Sequence, residues 1–298
     1  MIRPACILLA ALCAAAPARA VELRCQPAPG AVMAYTLAAS SETRSVGPGN
    51  RLDVTAGEVR IKGTATVAPS EEPDRVVLIC RTTGGRQSIV IRQRAMRQAA
   101  PPATERVTMT TLGETVAWDL LEGDLPALEP PMRLMLEPAD LCVFQGYGAL
   151  PEGDVQPGDS WSGHYDDIAG SPDEESQRIT YRSTLLGVGR FRGRPCARIA
   201  TAYEVAPLET DPPAQGESVP IHTTMTGDAV WGFDIERGMI LYYTETLTTS
   251  TRLVVPPESG LGASITSRAR LVAQMTEYDG VPLAGYSRTR GAAQPRGG

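Results

Sequence analysis

Strict two-residue alternation of apolar and polar side chains, repeated along much of its length, is what most restricts the folds open to this chain. Residues 59–67, VRIKGTATV, set Val59, Ile61, Ala65 and Val67 against Arg60, Lys62, Thr64 and Thr66. Residues 178–185 set Ile179, Tyr181 and Leu185 against Arg178, Thr180, Arg182 and Thr184. Near the end, Ile265, Ala269, Leu271, Ala273 and Met275 oppose Thr266, Arg268, Arg270, Gln274 and Thr276. Successive strand side chains point to opposite faces, so these stretches read as strands with one dry and one wet face, usually antiparallel. The Thr-rich stretch TETLTTSTRL, residues 244–253, fits the same reading. Gly187-Val188-Gly189 and Glu236-Arg237-Gly238 are expected to be hairpin turns. No stretch reads as a long helix, and Pro130, Pro131 and Pro138 limit 128–142 to a helical turn or two. The expected fold is all-β, built of long, curved antiparallel sheet.

A tandem duplication is suggested by matches at nearly one offset. Cys25 and Cys142 are 117 apart, and Cys80 and Cys196 are 116 apart. Thr108-Met109-Thr110 returns as Thr224-Met225-Thr226, and Trp118-Asp119 with Gly123 returns as Phe233-Asp234 with Gly238. Arg60 and Ile61 match Arg178 and Ile179. The reading is two related β units, 21–138 and 139–283, lying side by side or completing an open barrel-like shell. The last residues, 284–298, lack periodicity and apolar content and read as a disordered tail.

Residues 1–20 have the three parts of a secretory signal: Arg3, an apolar run from Ile7 to Ala16, and Ala18-Arg19-Ala20 as the cleavage site. A mature chain starting near Val21 is expected in the periplasm or secreted, with no transmembrane segment, since no later apolar run approaches the length a bilayer requires. That chain would carry 26 basic against 34 acidic residues, a net charge of −8. Such a balance argues against a nucleic-acid partner, which needs a basic face to displace phosphate counterions. Four cysteines remain after the signal, and an even number in an exported chain predicts structural disulfides. All three pairings fit the duplication; local closure favours Cys25–Cys80 and Cys142–Cys196, each loop worth about 4 kcal/mol in the chain-entropy model.

Residues able to carry chemistry are few. The two histidines are His164, in GHYDD beside Asp166 and Asp167, and His222. Zinc needs three or four converging ligands, which this spacing does not supply. The stretch GDSWSG, 158–163, lacks the G-x-S-x-G spacing of a nucleophile elbow. Asp173-Glu174-Glu175 lie in a polar run that reads as solvated loop. No calcium loop or phosphate-cradling glycine motif is present, and no cofactor is expected. Trp118, Trp161 and Trp231 read as core anchors of the two units, with Trp161 and Trp231, together with His164 and His222, the candidates for lining a pocket.

One further pattern spans Leu150-Pro151-Glu152-Gly153, Val155 and Pro157-Gly158-Asp159-Ser160-Trp161, followed by Gly227, Phe233-Asp234 and Gly238. In these residues the chain resembles a group of uncharacterised bacterial exported proteins with an LP–V–xxGDxW signature between two β-rich halves. The resemblance implies a β-rich exported protein and carries over no catalytic residue. The function expected is non-catalytic: a binding or envelope-associated protein, whose partner is a hydrophobic small molecule such as a lipid, or an envelope protein. Long curved sheets commonly enclose apolar cavities, which motivates the carrier reading. The alternative is a secreted hydrolase using His164 or His222 with loop carboxylates.

Overall fold

The structure is a computed structural model that describes residues 20–47, 51–91, 94–100, 102–123, 150–166, 178–210, 221–253 and 264–284. Residues 1–19 of the expected signal 1–20, the segment 128–142 with Cys142, Asp167, the acidic run 173–175 and the residues beyond Ala284 lie outside them. Every element among the described residues is a strand. The first half holds β1 (Val32–Gly47), β2 (Arg51–Ala68), β3 (Arg75–Ile91), β4 (Arg94–Ala100), β5 (Ala103–Thr110) and β6 (Thr115–Gly123). The second half holds β7 (Ser160–Asp166), β8 (Arg178–Phe191), β9 (Arg194–Thr210), β10 (Ile221–Asp234), β11 (Met239–Leu253), β12 (Ser264–Tyr278) and β13 (Val281–Pro282). The alternation at 59–67 falls in β2, at 178–185 in β8, at 244–253 in β11 and at 265–276 in β12, as the period-2 reading requires.

All strands belong to one antiparallel sheet in the order β6-β5-β3-β2-β1-β12-β11-β10-β9-β8-β7, with β13 beside β12 and β4 beside β3. This is an up-and-down meander in which β1 pairs with β12, from Met33 against Tyr278 to Val46 against Ser264. The two halves therefore share one continuous sheet. Among the described residues β6 and β7 end the path, β4 is a further edge on the β3 flank, and the sheet does not close into a barrel. Strands β4 and β5 share one flank of β3, against Gly85–Ile91 and Arg75–Arg81 respectively. Pro101 and Pro102 separate them, and neither has an N–H to give the ladder.

The matched residues of the two halves do not all occupy corresponding places. Thr108–Thr110 and Trp118-Asp119 lie on the two arms of the β5–β6 hairpin, whereas Thr224–Thr226 and Phe233-Asp234 lie along the single strand β10. Of the two expected turns, Glu236-Arg237-Gly238 connects β10 to β11. Gly187–Gly189 instead runs inside β8, beside a register shift at Leu185/Gly187. The chain reverses at Arg192-Gly193, both with positive φ.

One face of this sheet is dry. Leu78, Val107, Met109, Leu185 and Ile199 are fully buried, yet no helix and no second sheet covers them among the described residues. Part of their cover is the N-terminal segment, whose Leu23 and Cys25 join the same cluster, and the rest of that cluster is the inner face of the curled sheet. Buried residues from β1 through β12 accordingly form a single core cluster. Burying each large aliphatic side chain is worth about 1.5–3 kcal/mol, so this shared core outweighs any single polar contact at the surface.

The end of the curl at which β1 begins is sealed by the N-terminal segment. Val21 exchanges backbone bonds with Val155 at 2.9 and 3.0 Å, Cys25 N donates to Thr111 O at 2.7 Å, and Leu150 N donates to Leu112 O at 2.7 Å. Arg24 holds Pro151 O at 2.7 Å and also donates to Glu152 O. Leu23, Cys25, Leu150 and Val155 are buried by these contacts. The Leu150–Trp161 pattern is thus structural: it meets the N-terminal segment, then turns at Gly158 (φ 98°) into β7. Gly238 (φ 63°) belongs to the same seal, because a Cβ there would stand 2.5 Å from Arg24 O and 2.4 Å from Gln26 N.

Candidate functional site

The four pocket candidates do not converge. Trp231 is buried on the inner face of β10, where its indole N–H donates to Thr201 Oγ1 at 3.0 Å, and Thr201 is 2.8 Å from Ser183 Oγ. Trp161 faces inward from β7, opposite Ser183, and packs against the core from its edge. His164 is exposed on the outer face of β7, opposite Thr180. His222 lies on the outer face of β10, opposite Glu209 and Arg252, with β8 and β9 between the histidines. The two tryptophans and the two histidines are therefore on opposite faces of the sheet.

What the sequence reading passed over are two inward-facing glutamates. Glu245 on β11 shares its face with Tyr243 and Leu247, and is 4% exposed. The phenol of Tyr203 donates to its Oε1 and Tyr243 bonds it as well. Tyr203 comes from β9, across β10, and passes over Gly227, where a Cβ would stand 2.1 Å from the ring. Burial pushes the Glu245 carboxyl up to about 7, against the two phenols, which favour its anion. Glu105 on β5, opposite Cys80, is 2% exposed. Burial pushes it up to about 7 too, with the Trp118 indole pulling the other way. Its signal was in the alternation: Glu105 has the parity of Val107 and Met109, and Glu245 that of Tyr243 and Leu247.

Glu105 borders a cavity of about 20 Å3 with Tyr35, Cys80 and Thr82, room for about one water. The inner face changes character away from the sealed end. There, Ser41, Thr43 and Ser45 continue the inward row of β1, and Thr249 and Thr251 that of β11. Thr43 bonds Ser267 at 3.0 Å and Thr223 bonds Thr251 at 3.1 Å. Ile265, at 44% exposed, stands among these hydroxyls, opposite Ser45 and Thr251. Two more inward apolar side chains are left open toward the β4 and β6 flank: Met96 at 54%, in the row of Ser41, and Leu120 at 38%, opposite Glu105.

The cysteine pairings expected from loop length are not the ones formed. Cys25 and Cys196 are free and buried, so neither Cys25–Cys80 nor Cys142–Cys196 exists. Cys25 sits in the sealed end with its Sγ 3.6 Å from Met109 Sδ. Cys196 faces the other side of the sheet, beneath Tyr242 and Gly232. Loop-closure entropy favours short loops but carries no information about which face a side chain takes. Cys80 lines the inner-face cavity beside Glu105. Burial pushes the Cys25 thiol up to about 12 and Cys196 up to about 11, which suppresses the reactive thiolate. Alkylation of Cys25 and Cys196 without reductant should therefore be slow in the native protein and complete after denaturation. Peptide mass mapping reads this directly, and a Cys25 or Cys196 left unlabelled after denaturation would contradict the arrangement.

No protein-family model matches the chain, and no curated protein matches it significantly. Among solved structures it is similar to lipovitellin, in a structure described as showing lipid–protein interactions, with 12% identity and a TM-score of 0.45. The match covers 88% of this chain and 27% of the lipovitellin chain.

Proposed function

We propose that this chain is an exported, non-catalytic sheet protein that binds an amphipathic hydrophobic ligand, of the lipid type, along the open end of its inner face. The observation that carries the reading is the set of inward but exposed apolar side chains: Ile265 beside Ser45, Thr251 and Ser267, with Met96 and Leu120 on the same face toward the β4 and β6 flank. Hydrocarbon and hydroxyl on one concave face suit a ligand with both an acyl part and a polar part. The sealed end is already filled by core side chains, so the ligand belongs at the other end and near the β6 edge. Export is supported by the signal pattern of residues 1–20.

The test is to isolate the mature protein from the periplasm or medium without detergent, extract it with organic solvent and analyse the extract by mass spectrometry. Lipid at near one per chain is expected, and the delipidated protein should take up a fluorescent fatty acid. Met96→Glu and Ile265→Glu each place a charge on the binding face and should weaken uptake about tenfold or more, the equivalent of one lost apolar contact. A clean extract together with no uptake by the delipidated protein would end the proposal.

A further inference from the structure

Glu245 stands apart from the ligand contacts just described and Glu105 adjoins them at Leu120, its partner on β6, and each half of the sheet holds one of the two glutamates on its inner face. An ionised carboxylate in such a position has lost its water, and a polar group can be kept there only if it is neutral or fully bonded. The fold makes specific provision for Glu245. A residue without a side chain, Gly227, lets the Tyr203 ring cross β10 and reach it. Tyr243 approaches it from its own strand.

We propose that Glu105 and Glu245 act as a pH-sensitive lock on the curl: protonated, they are neutral hydrogen-bonding groups within the inner face, and their ionisation loosens the curl and uncovers that face. Two carboxyls in separate halves of one sheet place the lock on both sides of the β1–β12 pairing.

The surroundings hold little that would offset the two negative charges. Toward Glu245, β9 turns Tyr203 and Thr201, while β10 turns Gly227, Ala229 and Trp231. From the other flank β12 turns Ala269, Leu271 and Ala273, and β11 itself adds Tyr243 and Leu247. The titratable groups in that set are the two phenols. Glu105 meets Tyr35, Cys80 and Thr82 across its cavity, and the Trp118 indole from β6. Arg81, exposed to solvent, is the one cation among that cavity's lining residues.

The direction of the response follows from which state holds the proton. In the unfolded chain a glutamate releases its proton near its ordinary value, about 4.3. In the folded chain both hold it to about 7. Between those values the unfolded state carries fewer protons, so rising pH favours unfolding. The lock is complete below the ordinary glutamate value, weakens as pH climbs toward 7, and loses nothing further once both states are ionised. Within the window each glutamate raises the unfolding constant by up to about tenfold per pH unit.

The test compares the full mature chain with Glu105→Gln, Glu245→Gln and the double variant. Glutamine has the shape of a protonated glutamate and stays neutral throughout. Urea midpoints and binding of a hydrophobic dye are followed from about pH 5 to pH 8, the range spanning both ionisations. The wild-type midpoint should fall and its dye binding rise with pH. Each single variant should lose roughly half of that slope, and the double variant should be nearly flat. A double variant with the wild-type slope in both readouts overturns the proposal. Should a variant fail to fold, the carboxylic-acid infrared band of the wild type decides instead. Two protonated carboxyls persisting to about pH 6 support the lock, and complete loss of the band by about pH 5 overturns it.

Discussion

Gly227→Ala is expected to destabilise the protein by about 4 kcal/mol, a large effect for one methyl group on a strand that otherwise tolerates side chains. The reason is not backbone conformation, since Gly227 has no unusual φ, but the ring of Tyr203 lying across it. A Cβ at 227 would stand 2.1 Å from Tyr203 Cζ and 2.4 Å from its Cε1, closer than carbon atoms ever approach. Tyr203 is buried, with core neighbours on both sides, so its ring has no free space to occupy. Forcing it aside costs about 1–3 kcal/mol in overpacking. It also takes a donor from the buried Glu245, a further 1–3 kcal/mol or so. The urea midpoint measures the sum. Adding Tyr203→Leu separates the two parts, because a leucine relieves the clash without restoring the donor. The double variant should therefore recover the overpacking part and retain the other. If Gly227→Ala alone unfolds within 1 kcal/mol or so of wild type, the crossing of β10 by Tyr203 is not how Glu245 is reached.

How much of this was legible in the sequence differs from feature to feature, for physical reasons. The strands were legible because a half-buried sheet writes its two faces into a period of two, and β2, β8, β11 and β12 obey it closely. The same rule held the positions of Glu105 and Glu245, but a glutamate among threonines reads as part of the wet face unless its parity is counted. Strand order was not legible. The pairing of β1 with β12 joins residues more than 200 positions apart, and nothing local in Met33–Val46 names its partner. Glycine misled once: Gly187 and Gly189 mark an irregularity within β8, whereas Arg192-Gly193 makes the turn. The cysteines misled because sequence separation sets the entropy of closing a loop but not where each sulfur comes to rest: Cys25 lies in the seal against Met109, Cys80 beside the Glu105 cavity and Cys196 on the outer face. The patterned segments 150–161 and 227–238 were legible as motifs and silent about their role. Their residues converge on the N-terminal segment, at Val155, Arg24 and Gly238, which only the folded chain brings together.

Asp234 carries the turn at which the second of those motifs meets the seal, and Asp234→Ala is expected to cost about 3–5 kcal/mol. Its carboxylate is 1% exposed and accepts from Arg194 Nε at 2.8 Å and Arg194 Nη2 at 3.3 Å. The same carboxylate accepts the backbone N–H groups of Glu236 at 3.0 Å and Arg237 at 3.1 Å, which fixes the reversal from β10 into β11. Removing one member of a buried pair leaves the other charge without its partner, which is where a cost of about 3–5 kcal/mol arises. Arg194 is partly exposed and keeps Glu236, at 3.1 Å, so the lower part of that range is the better expectation. Asp234→Asn retains an oxygen for the two backbone donors and gives up only the charge, so it should cost about half as much. The turn also leans on the N-terminal segment, with Gly238 against the backbone of Arg24 and Gln26. Loosening it should free that segment as well as lower the global midpoint. Trypsin cleavage after Arg24 reads the local event. It should be slow in the wild type, where Arg24 is tied to Pro151 and Glu152, and at least tenfold faster or so in Asp234→Ala. Faster cleavage with an unchanged urea midpoint would place Asp234 in the seal alone. An unchanged midpoint with unchanged cleavage would mean that its four hydrogen bonds hold neither the turn nor the closed end.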